Sequence, residues 1–551
     1  MPPSDPPLLT ATRAYLRLVD FARRPHDLAA AGGLTPERIA GMRARACGID
    51  LLYATERVTP EVLAALAELA GETGAVDQFR QMLAGGVMNR IDGFESENRR
   101  VLHFATRHLF DDIPDRPGAV LPQDAVEAER RELERVAGFV AGIERGRVAN
   151  ARGEPFTDLV NVGIGGSDIG SRALYLALQP WRCPGRRVHF LSNVDPDDAA
   201  RVLRLVDPAR TLVNVVSKSG GTLETTANQR RLTHAYRSAG LDPARHFVCV
   251  TTPGSALDRS AEFREKFHMF DYVGGRFSVT SAAGTVALAF GLGMDVLRDV
   301  LRGAREMDLA SLELDLRSNL PLLLALLGVW NRNLLGLPTL VILPYSQALS
   351  RFPAYVQELD MESNGKSVTR SGQAATWHTA PVVWGEVGTD AQHSFFQQLH
   401  QGEAVVPCEF IGFRESQFGE DLAVAGATGQ QKLNANLLGQ MLALAVGKSD
   451  ANPNRRFPGN RPSLALIGQR LDPRMLGRLV ALYQNKTAFQ GFLWGVNSYD
   501  QEGVQLGKTL AGSLLPRMVP GSGSAGATDG GLERALLEAA GMLPEASGSK
   551  P

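Results

Sequence analysis

From Phe156 onward the chain repeats one pattern: a short run of branched residues, a Gly/Ser turn, then helical periodicity. Leu159 to Val162 leads into GIGGSDIGS and the helix SRALYLAL. Thr211 to Val216 leads into SKSGGTLET and a helix that starts near Leu223. His246 to Val250 ends at Thr251-Thr252-Pro253. The pattern resumes at Thr339 to Leu343, which runs through PYSQALSRF into a helix leading to Glu362, and again at Ser463 to Ile467. Strands that alternate with helices build a parallel sheet covered on both faces. A chain of 551 residues is too long for one ordinary core. The expected fold is therefore α/β, with two doubly wound parallel-sheet domains joined within the helical stretch from Met294 to Leu335. Before them, about Thr10 to Arg107 reads as a helical N-terminal layer with few strand runs. In PEVLAALAELAGE, for example, Val62, Leu63, Leu66 and Leu69 line one helical face. The expected segments are 1–110 (helical), 111–293 and 294–515 (the two α/β domains), and 516–551, a linker VPGSGSAGATDGG followed by the short helix LERALLEAAG.

The composition narrows the partners. Lys and Arg total 58 against 59 Asp and Glu, a net charge of -1, so no long-range field favours nucleic acid or an anionic membrane. Cys47, Cys183, Cys249 and Cys408 are far apart, with no CxxC pair and no histidine at metal-ligand spacing, which reads as a reduced, cytoplasmic protein. MPPSDPPLL has prolines and an acid where a secretion signal needs a basic residue and an apolar run. The longest apolar stretches stop at Asp295 and Asn331, short of a membrane span. No metal is expected, since His378 and His400 have no partner at i+4 and no carboxylate in a metal-site pattern.

Six polar clusters carry the chemistry. GIGGSDIGS, with Gly166 and Ser167, follows a strand and opens a helix, so its N–H groups and the helix dipole favour an anion; a tight strand-to-helix turn without a ligand explains it about equally well. It is no dinucleotide fingerprint, because Asp168 takes the third glycine position, and no P-loop, because it lacks Gly-Lys-Ser/Thr. SKSGGTLET places the hydroxyls of Ser217, Ser219 and Thr222 near Lys218 at a helix start, suited to one phosphate or, alternatively, to helix capping beside a solvated lysine. Both loops fall at the carboxyl ends of strands, where open parallel sheets bind ligands.

In QELDMESNGK, Glu362 stands where a helix ends beside Asn364 and Gly365. An ionised glutamate can take a proton from a C–H next to a carbonyl, although a single glutamate near a helix end is most often a surface charge. Arg276 in GGRFS offers a planar cation for an enediolate or phosphate, or a structural ion pair. His393 in GTDAQHSFF has the pKa range to pass a proton to a ring oxygen, or is a core or interface histidine. Lys508, at the end of DQEGVQLGK, touches a ligand oxygen or snorkels from a helix. Together these groups suit proton transfer on a phosphorylated polar metabolite.

In this order and at these separations, VGIGGSDIGS, SKSGGTLET, DYVGGRFSVTSAAG, QELDMESNGK, GTDAQHSFFQQLHQG and YDQEGVQLGK resemble the phosphoglucose isomerase family, from roughly Asn89 to Ala511. The resemblance implies two sugar-isomerase (SIS) domains, a homodimer with shared active sites, and cofactor-free interconversion of glucose 6-phosphate and fructose 6-phosphate in glycolysis and gluconeogenesis. It implies Glu362 as the base working through a cis-enediol, with His393 reaching in from a partner subunit and Lys508 assisting ring opening. Arg276 would hold the enediolate charge, and Gly166, Ser167, Ser217, Lys218, Ser219 and Thr222 would surround the phosphate.

Three departures stand out. SKSGGTLET replaces the bulkier SKTFTTQET of animal-type enzymes. Glu358, at a substrate-binding position four residues before the base, replaces the usual glutamine, and an added carboxylate there raises the pKa of Glu362 if both face the site. Glu502 and Gln505 stand where Trp and Glu are common. Two other readings compete. One is a dual isomerase that also takes mannose 6-phosphate. The other is a sugar-phosphate-binding regulator on SIS domains, which would need no base.

Overall fold

The computed structural model describes residues 7–110, 112–519 and 531–543. The linker expected after residue 515 falls largely outside them. Its short helix is present at Leu532–Ala539. The chain divides into a large compact unit that ends at Tyr499 and a small one that begins at Asp500.

Two sheets organise the large unit. N-terminal to both, β1 (Arg43–Ala46) and β2 (Ile49–Leu52) form an antiparallel hairpin, and β3 (Val87–Asn89) pairs with β4 (Arg99–Arg100) as a small separate ribbon. The first large sheet consists of β5 (Asp158–Val162), β6 (Arg187–Leu191), β7 (Thr211–Val216), β8 (Phe247–Thr251) and β9 (Glu265–His268), all parallel, in the order β6-β5-β7-β8-β9. The second contains β10 (Thr339–Pro344), β11 (Val382–Gly385), β12 (Cys408–Phe413) and β13 (Ser463–Gly468), parallel in the order β13-β12-β10-β11. The β1-β2 hairpin extends it, antiparallel to β13. Counted from its own first strand, each sheet places its strands 2-1-3-4. The α/β expectation is met, with one topology used twice although no repeat is visible in the residues.

β5, β7, β8 and β12 are buried along their whole length, as parallel strands covered on both faces must be. The N-terminal layer is not purely helical. Cys47 and Gly48 both take positive φ (50° and 72°), the conformation of a two-residue hairpin turn whose twist matches its strands. This turn folds residues 43–52 onto the edge of the second sheet, within a layer expected to be helical with few strand runs.

The helix Met294–Ala310 packs on the helix Pro473–Trp494, which is buried except at Arg474 and Arg478. A Cβ on Gly303 would stand 1.9 Å from the Arg474 carbonyl oxygen, and one on Gly477 would stand 1.9 Å from that of Val300. Only glycine permits so close an approach of two backbones. Several polar groups sealed in and beside this contact pair with one another. Arg107 pairs with Asp308 at 3.0 Å and also meets Gln484, while Asn485 donates to Asp308 at 3.0 Å. Among the described residues no helix is long and apolar enough to cross a membrane, and the four cysteines are free thiols.

Candidate active site

In the first sheet the order reverses at β5, since β6 lies on one side of it and β7 on the other. The carboxyl ends of β5 and β7 therefore flank a switch-point crevice, the usual ligand position in an open α/β sheet. Both hydroxyl- and glycine-rich loops leave from there.

After β5 comes the single 3-10 turn Gly165–Ser167, followed by the helix Ile169–Ala177. A Cβ on Gly166 would lie 2.1 Å from the carbonyl carbon of Gly275, so the glycine lets this loop rest directly on GGRFS, backbone to backbone. The Ser278 hydroxyl donates to the Gly166 carbonyl at 3.1 Å and locks the contact. Asp168 is buried and paired with Arg172 at 2.9 Å; burial pushes its carboxyl up against that pairing.

After β7, Gly220 turns the chain at φ 71°, and the hydroxyls of Ser217 and Thr222 meet at 3.0 Å across the turn. Thr222 makes no capping bond to the helix Leu223–Ser238 that it precedes, so its hydroxyl is not consumed as a helix cap. Ser219 is exposed and accepts from the Gly221 N–H at 3.2 Å. Lys218 is the surprise of this loop. Its ammonium donates to the main-chain carbonyls of Asp271 and Val273, at 3.0 and 2.9 Å, and so ties the loop to the segment entering GGRFS. Burial, with Arg99 nearby, lowers its pKa to about 8.

GGRFS forms the start of a 3-10 turn, Gly275–Thr280, and Arg276 within it is only 3 % exposed. Its Nη1 donates to Glu362 Oε2 at 3.1 Å, Nε to Ser363 Oγ at 2.6 Å, and Nη2 to the Ser498 carbonyl at 2.5 Å. Glu362 lies near the end of the helix Phe352–Asn364, with a quarter of its side chain open to solvent. Asn364 closes that helix and is itself fixed, donating to Thr487 O at 2.9 Å and accepting from Ser498 Oγ at 2.6 Å.

One helical turn before Glu362, Glu358 stands against Gly165: its Oε1 is 3.3 Å from where a Cβ would sit. Burial first, then the Glu362 carboxylate, pushes it up to about 8. The Glu362 carboxylate thus acts on Glu358 across one helical turn.

The structure thus brings together Gly166, Ser167, Arg276, Glu358 and Glu362. Ser217, Lys218, Ser219 and Thr222 lie on the neighbouring strand end, linked to GGRFS through Lys218. His393, at the end of the short turn Asp390–His393, is exposed. Lys508 is exposed on the helix Gln505–Met518 of the small unit. Ser363, Asn364 and Ser498 hold the site but were not singled out from sequence. The first two sit inside the MESNGK motif, so their proximity to the base was the available signal; Ser498 carried none.

A doubly wound α/β protein with glycine- and hydroxyl-rich loops at its switch point and a carboxylate held by a buried arginine is the class to which fold and geometry point. Residues 52–530 match the family model for phosphoglucose isomerase. Glucose-6-phosphate isomerase from Protochlamydia amoebophila is 50% identical over 503 residues, 91% of either chain. That from Desulfotalea psychrophila is 49% identical over 505 residues, 92% of this chain and 93% of the relative. The crystal structure of a glucose-6-phosphate isomerase from Chlamydia trachomatis superposes with a TM-score of 0.90 at 44% identity, covering 97% of this chain and 99% of that one. This chain belongs to the phosphoglucose isomerase family.

Proposed function

We propose that this protein interconverts D-glucose 6-phosphate and D-fructose 6-phosphate, with Glu362 carrying a proton between carbons 2 and 1 through a cis-enediol. The observation that carries the assignment is the Glu362–Arg276 contact. A buried guanidinium with three protein partners holds the carboxylate at a helix end, so its orientation is set before substrate arrives. The same positive group lies where negative charge develops on the enediol. The phosphate binds in the crevice between β5 and β7, taken by N–H groups of the Gly165–Ser167 turn and by the hydroxyls of Ser217, Ser219 and Thr222. Lys218 adds a positive field from its place on the carbonyls of residues 271 and 273.

Ring opening falls to His393 and Lys508. His393 is exposed, as it must be if a homodimer contributes it to the site of the second copy. The two sugar-isomerase domains are placed at 111–293 and 294–515, the second completed by the hairpin of residues 43–52. The enzyme works in the cytoplasm, in keeping with its free thiols. A sugar-phosphate sensor would have no use for a positioned base, so the Glu362–Arg276 contact favours the enzyme.

The test is fructose 6-phosphate formation by the purified protein in a metal chelator, with Glu362→Gln in parallel. Turnover in the native protein, reduced about 10²–10⁴-fold in the variant with ligand affinity largely retained, is the expected result. Near-normal turnover of a correctly folded Glu362→Gln overturns the base assignment, and no turnover in the native protein favours the sensor. Mannose 6-phosphate run in the same assay reads out tolerance of the carbon 2 epimer.

A further inference from the structure

Three carboxyl groups lie near two guanidiniums, and both guanidiniums are already engaged. Arg276 is engaged with Glu362, Ser363 and Ser498, and Asp168 has Arg172. Glu358 has neither. Among the described residues no hydrogen-bond donor reaches its carboxyl, its Oε2 is sealed from solvent without a partner, and its Oε1 stands against Gly165 in the loop after β5. The groups facing it are Glu362 and Tyr355 from its own helix, Arg276 from the 3-10 turn Gly275–Thr280, and Asp168 from the loop after β5. An ionised carboxylate placed there would be largely out of solvent, unpaired and one helical turn from a second carboxylate, which is costly. Retaining the proton removes that cost.

We propose that Glu358 works as a neutral acid that donates a hydrogen bond to a substrate oxygen beside Gly165, and that its ionisation sets the alkaline limit of turnover. The proposal rests on the isomerase reading above. When Glu362 takes the proton from carbon 2, negative charge develops on the enediol oxygens, and a neutral O–H donor next to them stabilises it. A carboxylate in the same place repels that charge. The Glu358 proton is shared in the hydrogen bond and not transferred, so the proton balance of the reaction stays with Glu362 alone. Burial and the Glu362 carboxylate push Glu358 up to about 8, which places the limit on the alkaline side of neutrality.

The experiment measures kcat and KM for glucose 6-phosphate from about pH 6 to about pH 10 in the native enzyme and in Glu358→Gln, whose amide donates at every pH. The native kcat is expected to fall above a midpoint near the value just given. In Glu358→Gln the ratio of kcat at about pH 9.5 to that at about pH 7.5 should rise about five-fold or more over the native ratio. Lys218 titrates in the same window, but acts on ground-state phosphate binding, so its effect belongs in KM and persists in both proteins. An unchanged kcat midpoint in Glu358→Gln overturns the proposal.

A second readout is independent of turnover. Infrared difference spectra of the native protein should contain the C=O stretch of a protonated carboxyl that disappears across the same pH interval and is absent from Glu358→Gln. No such band overturns the neutral acid. Glu56 is also buried and pushed up to about 8, so the band that counts is the one lost in Glu358→Gln; if the native protein has no isomerase activity but shows that band, the functional reading fails and the protonation of Glu358 stands.

Discussion

Arg276 is anchored to protein through all three sides of its guanidinium, and its contribution follows from that. Arg276→Ala removes the donor that orients the base and leaves the Ser498 carbonyl and Ser363 hydroxyl to be satisfied otherwise. We expect a loss of about 3 kcal/mol in stability, measured by urea unfolding, together with a fall in kcat larger than any rise in KM. Arg276→Lys keeps the charge but cannot serve three directions at once, so it should recover less than half of the lost activation free energy. Glu358 gives a second expectation at this scale. Its folded pKa is raised, so between about 4.5 and about 8 the folded protein holds a proton that the unfolded chain has released. Its contribution is fully present below the lower value and lost as pH rises through the upper one. Thermal midpoints of the native protein should therefore decline over that interval more steeply than those of Glu358→Gln, and equal slopes would contradict it. Glu362 could be found from sequence because a helix end beside Asn-Gly marks itself. The attachment of Lys218 to two carbonyls could not, because the acceptors are main chain and lie more than fifty residues away.

At the scale of elements, the site is two turns laid against each other. The Gly165–Ser167 turn touches Gly275–Thr280 through bare backbone, and neither side has a flexible side-chain end that could give way. Gly166→Ala should therefore cost about 1–3 kcal/mol, read from the unfolding midpoint. It should also raise KM for glucose 6-phosphate more than it lowers kcat, because the loop that cradles the phosphate is displaced while Glu362 keeps Arg276. An unchanged KM would mean that the loop does not hold the phosphate. The strands that launch these loops were legible because a buried parallel strand is a short branched run with a glycine-rich exit. β6 and β12 were not marked: RVHFL mixes charged with apolar residues, and CEFIGF has a glutamate at its second position. The hairpin of β1 and β2 was hidden for another reason. Its arginines and alanines read as helix formers, and only Cys47-Gly48 signals the turn.

Across the whole molecule, two sheets with the same 2-1-3-4 order differ in how they are finished, one closed by a fifth parallel strand and the other by a hairpin from the start of the chain. That hairpin, like the Arg107–Asp308 pairing, joins segments far apart in sequence, which is why a reading that proceeds window by window recovers the layers but not their stitching. The same property has a consequence in time. Glu362, the proposed base, is held by an arginine whose partners lie 86 and 222 residues further along the chain, and contacts of such long range form late because loop closure must come first. After dilution from denaturant, helical signal should return before catalytic competence does. The delay between the two would time the arrival of Ser498 at Arg276, making turnover itself a clock for the last step of folding.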